Sequence, residues 1–263
     1  MKYRAKRWFK PMARAGYASR GLLYAVIGFF AALAAVGAGQ PMDTQGALAT
    51  LLSSSAGGML AYALVAGLAF YSLWRLVQAG FDTDNHGIGA KGFAIRAGLL
   101  VSGLVYLTLA FYTWSLMRGA ADGSEHGGFA EKLAGFVGSW WAAALLAAAF
   151  AAVGIAHAVK ALQEKYADHI EADHAKMRFI HPIAKTGLIA RGVVFLVVAF
   201  LFALRTVRAG GGGRAPDSRE ALQYIQSLPA GGWLLAPTGI GLIAFAIYSF
   251  IEAIYRRINV EDV

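Results

Sequence analysis

The chain contains no cysteine, which excludes disulfides, thiolate zinc sites, iron–sulfur clusters and a cysteine nucleophile. Charge is scarce as well. Asp, Glu, Lys and Arg make up 15% of the 263 residues, against about 25% in an average soluble domain, too few to solvate the exterior of a water-soluble protein this large. Proline is held to six residues beside 32 glycines, which rules out both collagen-like and proline-rich disordered chains. Acidic residues are almost missing from the long apolar runs, which argues against a proton pump built on intramembrane carboxylates. No nucleophile elbow, phosphate loop, zincin motif or convergent carboxylate pair occurs. The reading is therefore a protein without catalytic residues, metal or cofactor.

What is present is apolar and periodic. Hydrophobic residues reach 58% of the chain, gathered into six runs at about 20–38, 58–79, 93–117, 139–162, 186–206 and 233–255. Each run is long enough to cross a hydrocarbon core of about 30 Å as a helix. Helix is the state that satisfies every backbone donor and acceptor in lipid, and no alternating outer-membrane strand pattern competes with it. The first run follows a basic lead-in without a small-residue cleavage site, so it reads as a retained helix.

The formal charge of +9 has a topological explanation that makes a nucleic-acid partner unnecessary. Eighteen Lys and Arg lie at the amino terminus, in the second and fourth connections and in the carboxyl tail, against six in the other three connections. Positive residues concentrate on the cytoplasmic side. The expectation is a multi-pass protein of the bacterial cytoplasmic (inner) membrane with both termini cytoplasmic. The connection holding Arg205, Arg208, Arg214 and Arg219 is the discordant one.

One phrase recurs ahead of the odd-numbered helices. It reads Arg14-x-Gly16-x3-Arg20-Gly21-x2-Tyr24, then Arg96-x-Gly98-x3-Ser102-Gly103-x2-Tyr106, then Lys185-x-Gly187-x3-Arg191-Gly192-x2-Phe195. Gly57-Gly58, Gly138-Ser139 and Gly231-Gly232 open the even helices, and Tyr71, His157 and Tyr248 fall late in them. Short amphipathic stretches at 46–51, 130–133 and 221–225 precede the even helices. The expected fold is a single all-α membrane domain over 1–263, made of three parallel two-helix units (about 11–82, 91–166 and 180–257) around a pseudo-threefold axis, with short outer interfacial helices.

At these residues the sequence resembles the bacterial membrane family catalogued as domain of unknown function 1206. Its opening phrase, Ala-Arg-x-Gly-Tyr-x-x-Arg-Gly-x-x-Tyr, is complete at Ala13–Tyr24 and partial at Lys185, Gly187, Arg191 and Gly192. Ser102 replaces the second basic residue in the middle unit. The resemblance implies three tandem two-helix repeats and carries no activity.

Within each phrase the glycine, the basic residue and the aromatic are four apart and share one helix face. The structural reading is helix-end anchoring by snorkelling basic side chains and interfacial rings. The binding reading is a cytoplasmic belt of Arg14, Arg20, Tyr24, Arg96, Tyr106, Lys185 and Arg191 that meets anionic lipid headgroups or another anion. Arg75 and Glu252 hold matching places, four residues after Tyr71 and Tyr248, and are expected to form a structural ion pair, because an uncompensated charge at that depth is costly. His157 is a lone histidine without an axial partner for haem. His169 and His174 are five apart and do not stack on a helix face. The calcium-like opening at Asp82 lacks its closing glutamate.

The function this supports is a non-catalytic membrane protein: a scaffold, assembly partner or accessory subunit whose partners are membrane lipids and other membrane proteins or a second copy. The alternatives are a small-solute transporter or channel, by architectural analogy with mitochondrial carriers, and an anionic-lipid-binding protein.

Overall fold

The computed structural model describes residues 2–54, 57–87, 89–119, 139–208, 218–229 and 231–258. The described residues are all-helical apart from one isolated bridge. The helices are α1 (Lys2–Ala35), α2 (Thr44–Leu52), α3 (Gly57–Phe81), α4 (Ala90–Met117), α5 (Ser139–Leu162), α6 (His174–Arg208), α7 (Ser218–Ser227) and α8 (Gly231–Tyr255). Six of them (α1, α3, α4, α5, α6 and α8) are long and apolar enough to cross a bilayer. α2 and α7 cover the amphipathic stretches expected at 46–51 and 221–225. The stretch at 130–133 lies outside the described residues.

Two helices run well beyond the expected spans. α1 begins at Lys2 and α6 at His174, whereas the apolar runs alone would start them near 20 and 186. The lead-ins are rich in Lys, Arg, Met and Ala, which extend a helix readily, and Pro11 and Pro182 lie inside the helices without ending them. α2 starts at an ordinary cap: the Asp43 carboxylate accepts the Gly46 backbone N–H at 3.0 Å.

The packing order differs from the chain order. α1 packs against both α3 and α8; α3 carries α4; α8 packs on α6, which carries α5. Around the bundle the order is α4, α3, α1, α8, α6, α5. No comparable packing joins α4 to α5 among the described residues. These two are also the outermost: 17% of the apolar window of each is buried, against at least 39% in the other four.

The repeated glycines account for the close pairings. A Cβ on Gly16 would lie 2.6 Å from the Tyr71 Cα, and one on Gly187 would lie 2.5 Å from the Phe245 backbone nitrogen. Only a residue without a side chain lets these backbones meet. The third glycine of the set, Gly98, has nothing within 4 Å among the described residues, because the α5 helix that would cover it sits on α6 instead. The second glycines behave alike in all three places: Gly21 lies against Ala246 and Phe250 of α8, Gly103 against Ser72 and Leu76 of α3, and Gly192 against Gly154 and His157 of α5.

Candidate functional site

The close approach of α1 to α3 and α8 brings polar side chains into the protein interior. Glu252 is the one acidic residue in the six spanning helices and is 1% exposed. Arg20 is 3% exposed. Its guanidinium spends all three nitrogens on protein partners. Nε donates to Ser249 Oγ at 3.1 Å, Nη1 to the Tyr71 hydroxyl at 2.6 Å, and Nη2 to Glu252 Oε2.

From there the hydrogen bonds form a closed ring. Arg256 Nη1 donates to Glu252 Oε1 at 2.8 Å, and its Nη2 to Asp84 Oδ2 at 3.2 Å. Gln78 Nε2 donates to the same Asp84 oxygen at 2.8 Å, and Gln78 Oε1 accepts from Arg75 Nη1 at 3.1 Å. Arg75 closes the circuit by donating Nε to the Tyr71 hydroxyl at 2.9 Å, with Nη2 on the same oxygen. The Tyr17 ring sits among the three guanidiniums, its centroid 5.1 Å from Arg20, 5.9 Å from Arg75 and 5.5 Å from Arg256. Cations stacked on one aromatic ring lose less on leaving water than bare ones do.

Local structure sets each member. Tyr71, Arg75 and Gln78 are spaced by four and three, so they line one face of α3. Asp84 lies in the α3–α4 turn, where Asp82 and Asn85 take left-handed conformations (φ 49° and 54°). The Asp82 carboxylate accepts the backbone N–H groups of His86 and Gly87 at 2.8 and 2.7 Å. Burial works against its ionisation, but these two donors hold its pKa below the usual carboxylate range. Arg256 follows α8 and is fixed by backbone pairing with the α5–α6 connection: Glu171 N–H to Tyr255 O at 2.7 Å and Arg257 N–H to His169 O at 2.8 Å. Burial, reinforced by Arg256, lowers the His169 pKa below its ordinary value, and its Nε2 lies 4.0 Å from Asp84.

Two expectations are corrected here. Arg75 and Glu252 do not pair; Glu252 is taken by Arg20 and Arg256, and Arg75 bonds Tyr71 and Gln78. α1 lies between α3 and α8, so its own arginine reaches the acid first. The belt of basic residues also dissolves. Arg14 is exposed, but Arg20 and Tyr106 are buried. Arg96 donates to the carbonyls of Ala79 and Gly80 at 2.7 and 3.0 Å, closing the end of α3. Lys185 pairs with Glu164 at 2.5 Å; this contact holds the Glu164 pKa below its usual value. Tyr24 is half-buried and packs edge-on against Phe245. Arg191 is stacked on Tyr24, Phe195 and Phe245.

Gln78, Asp84 and Arg256 in the ring, and Ser249 beside it, are not singled out by the sequence pattern, whereas Tyr17 is marked only as part of the family's opening phrase. The signal for Glu252 is strong, since a lone intramembrane acid demands partners. The others have no such mark, because their role depends on which helices become neighbours. Glu252 has both oxygens bound, whereas Asp84 bonds through Oδ2 alone, and the Arg256 Nε and the Tyr17 hydroxyl are buried without a hydrogen-bond partner among the described residues. Guanidinium and amide donors on the two carboxylates clasp the helices together.

The sequence model of the family described as Domain of Unknown Function (DUF1206) matches residues 15–82 and 186–256. A protein of Bacillus subtilis (strain 168), "Uncharacterized protein YxxB", is 28% identical over 266 residues, spanning 99% of this chain and 96% of its own length. No solved structure matches the chain. The two matched stretches take in more than half of the chain and every member of the polar ring except Asp84, and on that basis the chain belongs to the DUF1206 family.

Proposed function

We propose that the protein is a non-catalytic assembly partner in the cytoplasmic membrane, with both termini cytoplasmic, and that the seam between α4 and α5 receives a transmembrane helix of another membrane protein. The observation that carries this reading is the open Gly98. Its counterparts Gly16 and Gly187 each seat a helix backbone, while Gly98 has nothing within 4 Å among the described residues. In lipid, helices associate through such small-residue positions rather than through hydrophobicity. On this reading the three units approximate a pseudo-threefold ring that is interrupted in the middle unit, and the interruption is the docking place. The polar ring, which ties α1, α3 and α8 together through hydrogen bonds, supports a structural role.

The natural absence of cysteine makes the test direct. A photo-crosslinking residue is placed at Gly98, and a control at Ile240, a lipid-facing position 61% exposed. Irradiated membranes are expected to give a discrete heteromeric band from position 98 and none from 240. Lipid adducts alone at both positions would overturn the proposal, and a band at twice the chain mass would replace the heteromeric partner with a second copy.

Orientation has its own test. Alkaline phosphatase fused after Gly39, Gly123 or Gly211 is expected to be active, and after Asn85 or Asp173 inactive, following the eighteen-to-six bias in basic residues. The opposite pattern would invert the protein in the membrane.

A further inference from the structure

Arg20 and Arg191 are equivalent residues with unequal surroundings. Arg20 faces α8, which supplies Ser249 and Glu252. Arg191 faces α5, on which Gly192 packs, and there the matching positions are Ala158 and Ala161. Ser102 faces α3, whose matching residue is Arg75, so a third arginine at that position would meet a like charge. One arginine of the set is thus neutralised, one is replaced, and Arg191 is left without a carboxylate.

Among the described residues Arg191 has no ion pair or hydrogen bond; its Nε is buried without an acceptor, while the residue as a whole is partly exposed. Three aromatic rings cage it, with centroids 4.8 Å (Tyr24), 5.1 Å (Phe195) and 4.6 Å (Phe245) from its guanidinium carbon. Rings compensate the charge through their faces but accept no N–H in the guanidinium plane. Beside it is a small cavity lined by Arg191, Tyr24 and Phe195 and by the aliphatic side chains of Ile27, Val194, Leu222 and Leu242, with room for about one water-sized occupant. Tyr106 lies within electrostatic reach of both Arg191 and Tyr24. The surrounding interior is positive, with Arg20, Arg75, Arg256 and Lys160 set against Glu252 and Asp84.

We propose that this cavity binds a single monovalent anion of halide size, held by the Arg191 guanidinium with the Tyr24 hydroxyl as second donor. Size and charge both select it. Phosphate, sulfate and carboxylates need more room than one water-sized site provides, and neutral water would supply no counter-charge to the buried Nε edge of the guanidinium. The apolar walls formed by Ile27, Val194 and Leu242 suit a weakly hydrated ion over a strongly hydrated one.

The test uses the full-length protein purified in gluconate and titrated with radiolabelled chloride at constant ionic strength. Saturable binding displaced by bromide, but not by sulfate, is expected. Arg191→Gln should weaken binding about tenfold or more, the loss of a charged donor, and Tyr24→Phe by about threefold, the loss of one neutral hydrogen bond with the ring retained. No saturable chloride binding by the wild type would overturn the proposal, whatever the variants do. So would equal displacement by phosphate or by phosphatidylglycerol micelles, which would assign Arg191 to a lipid headgroup or free phosphate. If Arg191→Gln does not survive purification, Tyr24→Phe decides the site: unchanged affinity there removes the hydroxyl from it and overturns the assignment.

Discussion

Glu252→Gln is expected to destabilise the protein by about 3–5 kcal/mol, the range for removing one partner of a buried ion pair. The amide keeps the shape of the carboxylate and loses its charge. Arg20 and Arg256, which now share the two oxygens of Glu252, would be left as neighbouring cations in the interior. The amide NH2 that replaces one of those oxygens is itself a donor, so it would meet one of the guanidiniums N–H against N–H. The readout is unfolding in mixed micelles, compared with Arg20→Gln and with the double variant. The double variant should recover part of the loss, because removing both charges also removes the stranded one. A Glu252→Gln protein within about 0.5 kcal/mol of wild type, the usual range for surface changes, would show that the ring is not what holds α1, α3 and α8 together.

The second large effect separates glycines that look identical in sequence. Gly16→Val and Gly187→Val place carbon atoms against backbone, where no flexible side chain can give way. The helices must separate, and overpacking of this kind costs about 1–3 kcal/mol or more. At Gly16 the shift also moves Tyr71 away from Arg20, so loss of ring hydrogen bonds adds to the steric cost. Gly98→Val should stay within about 0.5 kcal/mol of wild type, since its position is open. Apparent melting temperatures of the three single variants in one detergent are sufficient. Equal losses at all three positions would refute the packing order described above.

Much of the architecture was legible from residues alone, for reasons that can be named. An apolar run of roughly 20 residues specifies a spanning helix by its length, whatever its neighbours. The amphipathic stretches at 46–51 and 221–225 likewise announced α2 and α7. Helix starts were less legible. The basic lead-ins to α1 and α6 are helix-forming but not apolar, so a hydrophobicity pattern begins those helices late. At the site, the type of residue was readable and the partner was not. Glu252 had to be paired, and Arg75 stood at the matching place on α3. Which cation reached the carboxylate depended on α1 lying between α3 and α8, a fact of packing that no spacing along one helix contains.

The sequence by itself determined the all-helical state, the six apolar helices, the recurring glycine-basic-aromatic phrase and the need to neutralise a lone intramembrane acid. These follow from local chemistry: backbone groups in lipid must bond within their own helix, and a charge there must find a partner. Tertiary structure decided everything that depends on neighbours. It put Arg20 in the ring and left Arg191 without an acid, though both stand at the same place in the repeated phrase. It also filled the space beside Gly16 and Gly187 and, among the described residues, left that beside Gly98 open. The physical reason is that a repeated phrase can specify only one environment, whereas each copy meets a different helix: α8 with its glutamate, α3 with its arginine, and α5 with alanine.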